Sequence, residues 1–222
     1  MRKVIAGAFV SLDGVMQAPG GPEEDPTGGF KYGGWTAPYF DETVGEAMGL
    51  MFEQPFDLLL GRKTYEIFAA HWPHAEGGPD DAVAKLFNAA TKYVATSSRE
   101  PLTWVNSVAL HDPAAEVARL KAGDGPDLMV QGSSVLIQTL LAHGLIDHVN
   151  LLVFPVVLGG GKRFFGDGAK AGALSLESSK TSASGVIMAN YVPAGAVKTG
   201  SFALETLTPE EEARREKLKR EG

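Results

Sequence analysis

The chain has 222 residues, 44% of them hydrophobic and 21% charged, an ordinary globular composition for one domain with extra loops. It contains no Cys, which excludes disulfides, thiolate zinc sites and a cysteine nucleophile. A net charge of −7 with no basic stripe argues against a nucleic-acid partner, because phosphate-backbone binding needs clustered Lys and Arg.

The N-terminus reads MRKVIAGAFVSLDG. Its basic start suits a signal peptide, but the apolar run is short and ends at Asp13-Gly14, so it makes a poor one. Residues 4–10 predict a buried first strand. No apolar run approaches the roughly 20 residues that span a bilayer, so a soluble, cytoplasmic protein is expected. Residues 17–35, QAPGGPEEDPTGGFKYGGW, have no apolar period and predict a long loop, functional or disordered. Residues 41–53 then predict a helix with Val44, Ala47, Met48 and Met51 on one apolar stripe. Residues 56–60 predict a strand ending at Gly61, and residues 64–70 a helix that stops near Pro73.

Residues 80–90 predict another amphipathic helix, and 92–96 a short strand. Residues 113–122 predict a helix capped by Asp112. A strand at 128–131 leads to a helix at 133–142, which Gly144 ends in a left-handed conformation. Residues 148–154 predict a strand, and 174–182 with 186–192 an antiparallel closing pair. Alternating strands and helices predict an α/β fold with a largely parallel sheet. Residues 1–207 make a single domain, and 208–222 a charged helical tail opened by the capping box Thr208-Pro209-Glu210-Glu211.

Three segments place special chemistry at strand ends, where open α/β sheets bind ligands. Gly61-Arg62-Lys63-Thr64 follows one strand; its outward amides and two cations suit a phosphate. Taken alone, a solvated strand-to-helix turn explains it better. Gly132-Ser133-Ser134 opens a helix with two hydroxyls and suits a pyrophosphate, although a plain cap by Ser133 explains it equally well. Thr96-Ser97-Ser98-Arg99 could hold a ribose phosphate, or be an ordinary polar turn. The run Leu158-Gly159-Gly160-Gly161-Lys162 fails as a triphosphate loop, since Val156 stands at the first glycine position and Arg163 replaces Ser or Thr. Its glycines predict close backbone approach to a ligand or a neighbouring strand. His71 and His74 are separated by Pro73, so no metal site is expected.

In order, SLDG, the Gly-rich loop, LLLGRKTYE, VATSS, a strand into GSS, and GLIDHVNLLVFPVVLGGGKRFF resemble the dihydrofolate-reductase-like superfamily. More narrowly, the chain is similar over residues 2–192 to the reductase domain of bifunctional riboflavin-biosynthesis proteins, the RibD C-terminal family, and its free-standing bacterial relatives. The resemblance implies a three-layer α/β/α fold, a mostly parallel mixed sheet with antiparallel closing strands, and a homodimer. It implies an NADPH-dependent reductase acting on a small heterocyclic or carbonyl substrate, as 5-amino-6-(5-phosphoribosylamino)uracil reductase does.

By the same resemblance, Gly61, Arg62, Lys63 and Thr64 meet cofactor phosphates. Thr96, Ser97, Ser98 and Arg99 lie near the adenosine ribose phosphate, and Gly132, Ser133 and Ser134 form the pyrophosphate loop. Asp13 would be the catalytic acid. With Gly14, Trp35, Glu46, Phe154, Pro155, Leu158 and Gly159 it would border the substrate. Asp13 could equally be a turn or capping residue, and Glu46 a solvated helix residue. The zinc deaminase half of the bifunctional proteins is missing, and the Gly/Pro insertion is longer than in the biosynthetic enzyme. A dihydrofolate or pterin reductase, or a nucleotide-binding protein of the same fold without turnover, remains open.

Overall fold

The computed structural model describes residues 1–221; Gly222 of the expected tail lies outside them. Eight strands form one sheet in the order β4-β3-β2-β5-β1-β6-β8-β7. The strands are β1 (Val4–Ser11), β2 (Phe56–Gly61), β3 (Lys92–Ala95), β4 (Ser107–Leu110), β5 (Asp127–Gln131), β6 (His148–Phe154), β7 (Leu174–Thr181) and β8 (Ile187–Pro193). The first six run parallel, and β8 is antiparallel to both β6 and β7. Every residue of β2 is buried, as expected for a central parallel strand covered on both faces.

Six α-helices accompany the sheet: α1 (Glu42–Met51), α2 (Arg62–His71), α3 (Asp81–Ala89), α4 (Pro113–Ala122), α5 (Ser134–Ala142) and α6 (Pro209–Glu221). Alternation along the strands divides the core between two faces. Val4, Ala6, Val10, Leu128 and Val130 face α4 and α5, which contribute Val117, Ile137 and Leu140. Leu58, Leu60, Val94 and Met129 face Tyr65 of α2 and Phe87 of α3. Phe9, Leu152 and Phe154 pack with Val44 of α1 and with Trp35. The result is the three-layer α/β/α architecture with an antiparallel edge.

Local chemistry matches several sequence expectations. Asp112 caps α4 as expected, its carboxylate accepting from Ala115 N (3.1 Å). Asp41, expected inside the helix, instead caps α1, its carboxylate accepting from Val44 N (3.0 Å). Gly144 has φ 65°. Strand β4 was not expected: its middle residues are exposed, so no alternating pattern marks it. It forms by completing the parallel ladder beside β3. The tail is helical and exposed from Pro209, with Thr208 Oγ1 accepting from Glu211 N (3.3 Å).

The loop over residues 17–35 is ordered, not structureless. Gln17 Nε2 donates to the carbonyls of Asp25 and Thr27, both at 2.9 Å. Trp35 Nε1 donates to Gln17 O (2.8 Å), and Thr36 Oγ1 to Pro19 O (2.7 Å). Paired polar groups, rather than an apolar period, hold this segment, and periodicity cannot report that.

Candidate functional site

Strands β3, β2, β5 and β1 lie side by side and parallel, so their carboxyl ends share one edge of the sheet. The pairing of Leu58 with Met129 brings Gly61 level with Gly132 three residues later. The two turns touch: a Cβ on Gly61 would lie 2.9 Å from Ser133 Cβ and nearer still to its Oγ. Only glycine permits that approach. A cavity of about 1640 Å³ opens at this edge. Gly61, Arg62, Lys63, Thr64, Thr96, Ser97, Gly132, Ser133 and Ser134 all line it. The structure therefore brings these nine together from three turns.

Whether a dinucleotide phosphate fits here can be judged from the helix ends. Helices α1 and α4 carry side-chain caps, whereas α2 and α5 have none at their N-termini. Both uncapped ends open on the cavity, so their first amides are available to an anion, aided by the helix dipole. Ser133 is held at φ 75°, a left-handed conformation that L-residues rarely adopt. Such strain gathers at ligand sites. The residues present fit a pyrophosphate.

The charges at this edge are already partnered. Arg62 pairs with Glu66 (2.6 Å) and Glu100 (3.2 Å), and hydrogen bonding to Glu66 raises its pKa. Buried Asp25, from the 17–35 loop, bridges Lys63 (2.9 Å) and Lys162 (2.5 Å). Burial works against its charge, but hydrogen bonds from Lys162, Thr27 and Lys63 outweigh it and hold the carboxyl well below the usual range. The neighbouring Glu24 carboxyl is pushed up by burial. Asp25 and Glu24 both line the cavity, so the loop closes over one side of it.

Other expected site residues fall elsewhere. Asp13 does not line the cavity. Its carboxylate accepts from Ser11 Oγ (2.6 Å), Leu158 N (3.0 Å) and Gly159 N (2.9 Å). The bond from Ser11 leads the causes that lower its pKa to about 2. Its acceptors stitch the β1 turn to the Leu158-Gly159 turn, which fits the turn reading that the sequence also offered. Gly14, at φ 81°, completes that turn with Gly14 N donating to Ser11 O (2.9 Å).

Trp35 and Phe154 are buried and meet edge-on, so they back the site without facing the cavity. Pro155 is exposed, and Glu46 is exposed and paired with Lys180 (3.2 Å) on β7. Neither lines the cavity. Ser98 closes its own turn, its N donating to Thr96 Oγ1 (3.0 Å), and exposed Arg99 lies beyond the wall. The glycine run approaches the chain itself: a Cβ on Gly161 would lie 2.7 Å from Val15 Cγ1.

Several wall residues were missed. Gly7 of β1, Met51 of α1 and Gln131 of β5 meet at the cavity floor: a Cβ on Gly7 would lie 2.9 Å from Met51 Cε and 3.6 Å from Gln131 Nε2. A glycine inside a strand was the available signal. Asp25 and Lys162 carried no signal, because only folding brings them together.

The mostly parallel eight-stranded sheet with its antiparallel edge is an α/β fold of the dihydrofolate-reductase-like kind, as its structural neighbours show. The model of the RibD C-terminal domain matches residues 2–188, and the chain belongs to that family. The chain is similar to the YyaP protein of Bacillus subtilis (strain 168), 28% identical over 197 residues, covering 86% of this chain and 94% of the relative. A pyrimidine reductase-like protein from Corynebacterium diphtheriae superposes with a TM-score of 0.58 at 13% identity, over 87% of this chain and 92% of that one. Dihydrofolate reductase from Enterococcus faecalis, complexed with NADP(H), superposes with a TM-score of 0.53 at 14% identity, over 86% and 96%. At these identities the structural likeness establishes the fold alone. Among the described residues no helix is long and apolar enough to cross a membrane, and no cluster of His, Asp or Glu is arranged to hold a metal ion.

Proposed function

We propose that this protein is an NADPH-dependent reductase that passes hydride to a small heterocyclic or carbonyl substrate. The observation that carries the reading is the convergence of the Gly61, Thr96-Ser97 and Gly132–Ser134 turns on one cavity, with two uncapped helix ends aimed into it. A bound nicotinamide cofactor would supply the hydride; the protein binds, orients and excludes water. The amides at the starts of α2 and α5 would take the pyrophosphate. Arg62, Thr96 and Ser97 would meet the adenosine ribose and its phosphate. The loop held by Asp25 would shield the reacting end. The family and the NADP(H)-bound dihydrofolate reductase neighbour support the cofactor assignment.

Titration with NADPH and NADH, followed by fluorescence, tests this reading. NADPH should bind more tightly, and Arg62→Ala should weaken NADPH more than NADH. Failure of both cofactors to bind would remove the reductase reading. Equal losses in the variant would take Arg62 away from the ribose phosphate.

A further inference from the structure

Each cation of the α2 turn is already held by a carboxylate, but the carboxylates differ. Arg62 pairs with Glu66 and Glu100, whose side chains are 55% and 77% exposed. Water can solvate both when the guanidinium turns to a ligand. Lys63 pairs with Asp25, whose side chain is only 8% exposed. A carboxylate so far from water is costly to leave unpaired.

The fold supplies Asp25 with a second partner. Its Oδ1 meets Lys63 Nζ (2.9 Å) and its Oδ2 meets Lys162 Nζ (2.5 Å), so each oxygen carries one ammonium group. Thr27 Oγ1 accepts from both lysines, at 2.9 Å and 3.2 Å. Two positive charges therefore share one negative charge. Among the described residues no other carboxylate lies within ion-pair distance of either lysine.

The two lysines are not equivalent. Lys162 is fixed: its backbone N donates to Gln17 Oε1 (3.0 Å), while Gln17 Nε2 holds the carbonyls of Asp25 and Thr27. Lys63 is half-exposed and stands in the first turn of α2, whose uncapped N-terminus opens on the cavity. Withdrawing Lys63 leaves Asp25 and Lys162 as a one-to-one pair. The cluster can thus give up one ammonium group without stranding its carboxylate. An oxyanion at the α2 N-terminus offers Lys63 the same kind of acceptor, with the helix amides assisting.

We infer that Asp25 is an internal counter-ion, which holds Lys63 in the empty site and yields it to the cofactor's phosphate while Lys162 keeps Asp25 paired. This rests on the anion reading of the α2 turn. An incoming phosphate must win Lys63 from a carboxylate already in place, so Asp25 sets the affinity of this end of the cavity. The loop stays pinned throughout by Lys162 and Gln17. The sign of the effect is distinctive. Removing the Asp25 charge frees Lys63 and tightens anion binding, whereas losing a merely structural contact would weaken it.

The test titrates inorganic pyrophosphate by calorimetry into the full chain and into Asp25→Asn, Lys63→Met and the double variant. Melting curves establish that each is folded, and NADPH is titrated separately. Asp25→Asn should tighten pyrophosphate at least about three-fold, and Lys63→Met should weaken it at least about three-fold. Asp25→Ser should reproduce the gain of Asp25→Asn. In the Lys63→Met background the gain should vanish, because no lysine is left to release. Unchanged or weaker binding in both Asp25 variants overturns the inference. So does a gain that survives in full in the double variant, which would reflect only the general field of the charge. Absence of pyrophosphate binding in every form overturns it too. The expected pattern with pyrophosphate, but no NADPH binding, upholds the counter-ion and sinks the reductase reading. NADPH binding without the pattern does the reverse.

Discussion

Gly61→Ala probes the junction on which the site depends. The added methyl would overlap Ser133 Oγ and lie 2.9 Å from Ser133 Cβ. Rotating the hydroxyl relieves the first overlap. The second persists, because Cβ is fixed to a backbone already held at φ 75°. The turns must separate, at a cost typical of overpacking, about 1–3 kcal/mol. For a chain of this size that lowers the melting temperature by about 2–12 °C. On the proposed cofactor reading the displaced amides would also lose charge-assisted hydrogen bonds worth about 1.5–3 kcal/mol, weakening NADPH by about 10- to 150-fold. Calorimetry and cofactor titration read the two effects. The double variant Gly61→Ala/Ser133→Gly removes both contacts and places glycine where φ is positive, so stability should return. An unaltered melting temperature in Gly61→Ala, or no recovery in the double variant, would refute this account of the junction.

Three further outcomes follow from buried charges. Arg2 and Asp57 form a buried ion pair, with Arg2 Nε also donating to Pro126 O (2.5 Å). Asp57→Ala strands the guanidinium and should cost about 3–5 kcal/mol in urea unfolding. The Asp25 carboxyl is held below its ordinary 3.8, so its clasp contributes above about pH 4 and is lost as pH falls through the lower folded value. Hydrogen-exchange protection factors in the 17–35 loop, taken relative to the unprotected chain at each pH, should fall on acidification, and in Asp25→Asn they should be low at every pH. Burial pushes Lys92 from 10.5 down to about 8. The unfolded chain then binds more protons between those values, so stability should rise as pH climbs from about 8 toward 10.5. Lys92→Met should flatten that rise in pH-dependent melting curves.

The strands other than β4, and the helices, were legible because hydrophobic period is local. Val44, Met48 and Met51 mark α1 without reference to the sheet, and the Leu58-Leu59-Leu60 run of β2 announces a strand covered on both faces. The turns at Gly61 and Gly132 were legible for the same reason, since glycine after a strand is a local signal. Their order along the chain already carried the family resemblance. What the sequence could not decide was which turns meet. Gly61 and Ser133 touch only because β2 and β5 are neighbours, although 70-odd residues separate them. Asp13 read as an acid near the site, yet pairing across the β1 turn commits its oxygens to the amides of Leu158 and Gly159. Gln131 gained meaning only when folding left its Nε2 buried at the cavity floor without an acceptor. Periodicity encodes which face of an element is buried; the juxtaposition of distant elements, and therefore the shape of the cleft, depends on sheet order, which local pattern does not carry.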